Sequence, residues 1–278
     1  MANTLTGTPA AAAIYVQVRE HAAALDAPPC LAAVSVGAQP DDRAYLRSIA
    51  LSAEDCGITV RPVPLPADCA PEALTDTLRA LSTDGAVHGV LLLRPLPEAL
   101  RAQEILDTLD ARKDVDGMTT ASLGALVTGA AGFAPCTAEA CMELLRAHGI
   151  DPAGRRVTVV GRSLVIGRPA ALLLTRADAT VTLCHRKTPD LAARCRDADI
   201  LLAAAGTPGL ITTDFVRPGQ IVLDAGATAL PDGTLRGDVA PDAAAIAVCT
   251  PVPGGIGSVT TALLLRHTVQ AAENLRHF

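Results

Sequence analysis

The chain has 278 residues, 50% of them hydrophobic, with no Trp and 2% aromatics, so its cores must be built from Ala, Val, Leu and Ile. That length is comfortable for two domains, and that composition suits buried parallel strands under Ala-rich helices. A net charge of −6, with acids and bases interspersed, excludes a basic nucleic-acid-binding tract and a long acidic tail.

The longest apolar stretches, such as ILLAAAG (200–206), are strand-length and far short of a membrane span. In MANTLTGTPAAAAIYVQVRE the first cation is Arg19, which argues against a secretory or mitochondrial leader. A cytoplasmic protein with neither nucleic-acid nor membrane partners is expected. Cysteines at 30, 56, 69, 136, 141, 184, 195 and 249 show no CxxC and no zinc-type Cys/His spacing. They read as reduced, half-buried thiols in a protein without a metal.

In chain order, LAAVSVG (31–37) reads as a strand, AQPDD (38–42) as a turn, and Arg43 to about Cys56 as a helix ended by Gly57. ITVRPVPLP (58–66) is a strand whose prolines suggest an edge, and 71–85 is a helix opened by Pro and closed by Gly. GVLLLRPLP (89–97) is a buried strand running into a Pro-rich loop, followed by a helix over 99–109. This βαβαβ order would put the strand C-terminal ends on one cleft edge. After the polar segment 111–124, five more strands are expected at 155–161, 179–185, 199–206, 220–226 and 245–253. They alternate with helices or loops, the pattern of a doubly wound parallel sheet. A last helix, about Thr260 to Leu275, follows a glycine-rich loop and would return to the first domain.

The strand RRVTVVG (155–161) runs into GRSLVIGRP, where Gly161 ends the strand and Gly167 with Pro169 opens a helix. Such a helix start suits a pyrophosphate, although the spacing is not GxGxxG and the loop alone also fits a ligand-free connection. The next strand ends Cys184-His185-Arg186-Lys187 where an NAD enzyme would place an acid for the ribose 2′-hydroxyl. With Arg162 nearby, these cations favour a 2′-phosphate and hence NADP. The cofactor-binding candidates are Gly161, Arg162, Ser163, Gly167, His185, Arg186, Gly206 and Thr228.

KDVDG (113–117), PCT (135–137), VVGRSLVIGRP (159–169), GDV (237–239) and TPVPGGIG (250–257) follow one another in an order and spacing that resemble one family. It is the bifunctional methylenetetrahydrofolate dehydrogenase/methenyltetrahydrofolate cyclohydrolase family. The resemblance, over about residues 30–275, implies an α/β protein of two domains. A βαβ folate-cleft domain would take 1–138 plus 258–278, and a Rossmann-like NADP-binding domain 139–257. It also implies a homodimer. Tyr45 corresponds to the tyrosine that stacks on the substrate and Asp116 to the acid that grips the pterin ring. A carboxylate there can accept paired hydrogen bonds from a ring N–H and an exocyclic amine. Leu93, Arg94, Pro95, Pro253, Gly254 and Gly255 complete the substrate-binding candidates; Tyr45, Ile49 and Asp116 are the catalytic ones.

Departures gather where the family handles water. Its motif is Tyr-x-x-x-Lys, with the lysine as general acid/base; this chain reads Tyr45-Leu46-Arg47-Ser48-Ile49. Tyr45 and Ile49 would lie one turn apart, both directed at the cleft. The family glutamine is replaced by Leu93, its proline after GG-x-G by Ser258, and the asparagine of D-x-G-x-N by Thr228. Hydride loss from a methylene-bridged folate needs no proton transfer at carbon, whereas hydrolysis of the methenyl cation does. The expectation is NADP-dependent methylenetetrahydrofolate dehydrogenation with cyclohydrolase activity weak or lost. Two alternatives stay open: an NADP oxidoreductase of this fold with another substrate in specialised metabolism, and a catalytically inactive nucleotide-binding partner subunit.

Overall fold

Two runs of alternating strand and helix give two units in the computed structural model, which describes residues 4–38, 40–230 and 232–275. One unit takes residues 13–136 and those from 261 onward; the other takes residues up to 12 and 137–260. The Ala-rich start, to which the sequence reading gave no element, is helix α1 (Thr8–Ala23). Alanine is the best helix former, and Ala10, Ile14, Val18 and Ala22 share its buried face at a spacing of four.

In the first unit β1 (Cys30–Val36) leads through α2 (Pro40–Glu54) to β2 (Thr59–Leu65) and through α3 (Pro71–Thr83) to β3 (Gly89–Leu92). The sheet order is β2-β1-β3, all parallel. The expected edge strand is β2. Thr59 N–H donates to Pro29 O and Leu65 O accepts from Gly37 N–H, so odd-numbered residues face β1. Pro62 and Pro64 therefore turn their missing donors to the open side. The turn expected over 38–42 includes Gln39, outside the described residues, and α2 already begins at Pro40. Helix α3 ends at Asp84 in extended conformation, without a left-handed glycine.

The strand β3 gives way to the expected Pro-rich loop after Leu92, and the helix expected over 99–109 is not continuous. It is a 3₁₀ turn, Glu98–Leu100, and a short α4 (Gln103–Leu106), separated by the extended Ala102. Arg101 Nε donates to the Leu96 carbonyl at 2.7 Å, folding the chain back and burying Leu96 and Leu100. Tertiary burial overrides local helix propensity here. Residues 113–115 then lie beside β3: Val90 N–H donates to Lys113 O at 2.7 Å, and Val90 bridges Asp114 in parallel. Helix α5 (Thr120–Thr128) follows, beginning inside the polar segment 111–124, to which no element was assigned.

The second unit is the expected doubly wound sheet. After α6 (Cys136–Ala147) come β4 (Arg156–Val160), α7 (Gly167–Arg176), β5 (Thr180–Cys184), α8 (Leu191–Asp197), β6 (Ile200–Ala203) and β7 (Ile221–Asp224). A hairpin of β8 (Thr228–Ala229) and β9 (Leu235–Arg236), then α9 (Pro241–Ile246), precede β10 (Val248–Cys249) and α10 (Ile256–Leu275). The order β10-β7-β6-β4-β5 is wholly parallel and reverses direction at β4/β6. Ligands of open α/β sheets bind outside the strand C-termini at such a switch point. The strand expected over 245–253 keeps two residues, because α9 runs to Ile246. No helix among the described residues is long and apolar enough to cross a membrane.

Thr119 caps α5: its hydroxyl accepts from Ser122 N–H at 3.1 Å and lies 2.9 Å from Ser122 Oγ. Thr119→Ala is expected to cost about 1–2 kcal/mol of stability, read as a lower urea midpoint at an unchanged slope.

Candidate active site

At the switch point main chain passes main chain. Gly161 ends β4 at φ 122°, and a Cβ there would overlap the Ala204 carbonyl after β6. A Cβ on Gly167, at the start of α7, would overlap the Gly161 carbonyl. Between them Ser163 shapes the loop, its Oγ accepting from Ile166 N–H and its carbonyl from Arg168 N–H, each at 3.1 Å.

Strand register brings the basic residues to one level, since Val160 pairs with Cys184 and Gly161 N–H donates to Cys184 O. Arg162 therefore leaves β4 beside the turn that follows β5. There His185 N–H donates to Thr188 Oγ1 at 2.9 Å, and Lys187 N–H donates to His185 Nδ1 at 3.2 Å. Arg162, Arg186 and Lys187 are exposed. Gly206 follows β6 at φ 64°, and Thr228 opens the hairpin after β7. All eight cofactor candidates thus stand beyond the C-terminal ends of β4, β5, β6 and β7. Pro253, Gly254 and Gly255 lie in the loop after β10, in the same unit. Gly254 O accepts from Gly7 N–H at 2.9 Å, and the hydroxyl of Ser258 donates to Gly255 O at 2.7 Å.

In the first unit KDVDG divides its labour. Lys113 is buried, its ammonium donating to the Leu81 and Asp84 carbonyls at 3.1 and 2.8 Å. The buried Asp114 carboxylate accepts from Thr119 N–H and the Ser122 hydroxyl, each at 2.7 Å. Asp116 is half-buried. Burial and then the Asp114 charge push its carboxyl from 3.8 up to about 6, against the opposing pull of Arg94, a Cys136 hydrogen bond and His267. His267 is buried, donates from Nδ1 to Val115 O at 2.8 Å, and sets its ring 4.8 Å from that of Phe133. Cys136 donates to the same carbonyl at 3.2 Å. Tyr45 keeps 39% of its surface exposed. Burial raises its phenol, as do the Asp116 and Cys136 charges, while a Thr261 hydrogen bond eases it. Tyr45, Arg94 and Asp116 therefore share one environment. Cys136, Thr261 and His267 belong to it too; Cys136 lies in the PCT string, and no spacing signal in the sequence marked Thr261 or His267.

Two family profiles match the chain: the catalytic domain of tetrahydrofolate dehydrogenase/cyclohydrolase over residues 5–116, and its NAD(P)-binding domain over residues 135–276. The chain belongs to the tetrahydrofolate dehydrogenase/cyclohydrolase family. Bifunctional protein FolD 1 of Rhodococcus jostii is 48% identical over 98% of this chain and 93% of its own length. Among solved structures, the bifunctional FolD methylenetetrahydrofolate dehydrogenase/cyclohydrolase of Campylobacter jejuni is 37% identical, with a TM-score of 0.93 over 98% of this chain and 99% of that one. The Trypanosoma brucei methylenetetrahydrofolate dehydrogenase-cyclohydrolase (FolD), solved with NADP and an inhibitor, is 35% identical, with a TM-score of 0.92 over 99% of both chains.

Position 49 lies inside the first unit. The sequence reading directed Ile49 at the cleft beside Tyr45; the structure instead encloses it completely, at 0% exposure. An aliphatic side chain gains by leaving water, whereas a tyrosine hydroxyl keeps to polar neighbours. Leu93 is likewise buried, and Arg94 next to it is exposed. The whole chain has two lysines, Lys113 and Lys187. The first is tied to backbone carbonyls and the second lies in the other unit.

Because the Asp116 carboxyl is raised in the folded protein, it favours folding below about pH 4 and loses that contribution as pH rises towards about 6. Carbon-13 NMR should show this carboxyl titrating near pH 6. The Asp116→Asn protein should lack the corresponding fall in stability over that window.

Proposed function

We propose that this chain oxidises the methylene bridge of 5,10-methylenetetrahydrofolate with NADP and hydrolyses the methenyl product weakly or not at all. In this reading residues 13–136 with 261–275 carry the folate, and residues 137–260 carry the dinucleotide. The observation behind it is the absence of any lysine beside Tyr45 and Asp116, together with an intact cofactor side. The glycine passes at 161 and 167 fit a dinucleotide, since they let β4, β6 and α7 converge and leave peptide groups at the crevice. When bound, the nicotinamide supplies a hydride acceptor.

The rest falls to the chain. Ionised Asp116 accepts from the pterin ring N–H and exocyclic amine, and Tyr45 stacks on the substrate, aligning its methylene carbon. The folate's own nitrogen lone pair expels the hydride, so no side chain must move a proton. Hydrolysis would need a base for water and an acid for the leaving nitrogen, and Ile49 is neither. Losing one such group costs about 10²–10⁴-fold in rate. Arg94 is no replacement, because a guanidinium stays protonated. An exposed Arg94 beside Asp116 also favours a second reading, an NADP oxidoreductase whose substrate carries an anionic group. Methylenetetrahydrofolate separates the two readings. By family resemblance the protein is a cytoplasmic homodimer.

With methylenetetrahydrofolate and NADP, reduced nicotinamide should form while the methenyl absorbance accumulates and decays at close to the uncatalysed rate. Hydrolysis far above that rate would show that another group activates water. Ile49→Lys with Leu93→Gln should raise hydrolysis and leave hydride transfer roughly unchanged. The enclosed site would lower the new amine's pKa towards a usable base, at some cost in stability.

NADP should bind more tightly than NAD by about 10- to 150-fold, from roughly 1.5–3 kcal/mol of charge-assisted phosphate contact. Arg186→Ala should remove most of that preference and spare NAD binding. Equal dissociation constants in the unmodified protein would refute the assignment.

A further inference from the structure

Two buried carboxylates hold the far wall of the crevice. Asp238, at 0% exposure, receives Ala205 N–H at 2.6 Å and Gly206 N–H at 3.1 Å on one oxygen, and Thr207 N–H at 2.7 Å on the other. Its own N–H donates to Asp224 at 2.9 Å, and Asp224 also takes Val239 N–H at 2.9 Å and Gly226 N–H at 3.0 Å. No ion pair to either acid occurs among the described residues. Six backbone donors therefore carry both charges. The packing leaves no slack: a Cβ on Gly226 would overlap Asp238 Oδ1, and one on Gly237 would overlap Asp224.

This arrangement decides which way the turn after β6 faces. Its N–H groups at 205, 206 and 207 point into Asp238, and a trans peptide sets each preceding carbonyl on the opposite side. Ala204 O indeed lies over Gly161, at the crevice. The turn accordingly has main-chain acceptors to offer a ligand and no main-chain donors.

We propose that Asp238 is a positioning residue of the dinucleotide site, turning the 204–206 carbonyls to the crevice to receive the cofactor's hydroxyl or amide N–H donors. The cofactor's phosphates are left to the opposite loop, 161–168. This rests on reading the second unit as the dinucleotide site. An asparagine at 238 would set an NH₂ against one of the three N–H donors and release the turn.

Asp238→Asn should raise the KM for NADP about 10-fold or more while kcat at saturating NADP changes less than about twofold. Ile200→Ala, at the opposite end of β6, should lower the melting temperature and leave that KM unchanged. A folded Asp238→Asn protein with unaltered NADP affinity would overturn the proposal. If that variant does not fold, hydrogen exchange on the unmodified protein decides. Amides 205–207 should be slow without cofactor and no slower with NADP, while the 162–168 amides gain protection. New protection at 205–207 on adding NADP would overturn it as well. An unmodified protein that binds no NADP would instead remove the underlying reading.

Discussion

The second unit depends on backbone meeting backbone without a side chain between. Gly161 under the Ala204 carbonyl and Gly167 against the Gly161 carbonyl let β4, β6 and α7 converge at the switch point. That convergence leaves a crevice floor made of peptide groups, which a pyrophosphate can approach closely. Bulk at either position would separate the strand ends and remove the floor. The basic turn after β5 gains its place from the same geometry, because the Gly161-to-Cys184 hydrogen bond levels Arg162 with His185 and Arg186.

The first unit works by a different contrast, between side chains that are spent and those kept available. Lys113 and Asp114 have their polar atoms satisfied inside the protein and build the ledge beside β3. Asp116 follows directly, half-buried, with its charge disfavoured by the same ledge. A ligand that donates two hydrogen bonds to it would favour the ionised form again.

The doubly wound sheet, the edge character of β2 and the glycine turns at Gly57 and Gly161 were legible, because periodicity, proline and glycine act locally. The break at Arg101–Ala102 was not, since it depends on a hydrogen bond to Leu96 and on burial that no local pattern records. The environment of Asp116 was half legible. Tyr45 and Asp116 stood out by motif and Cys136 lay within one, whereas His267 reaches the site from a distant helix and carries no motif. Ile49, expected to line the cleft beside Tyr45, is enclosed instead. A helix wheel fixes the face of a residue and leaves open how deep that face is covered.

The scarcity of lysine has a chemical corollary. With Lys113 enclosed, Lys187 is the one exposed lysine side chain, on a surface whose other basic side chains are arginines and histidines. It stands on the turn that would face a 2′-phosphate. Acylation of that single side chain, by an enzyme or by spontaneous reaction with an activated acyl group, would therefore erase a charge at the cofactor's edge and leave the rest of the surface untouched.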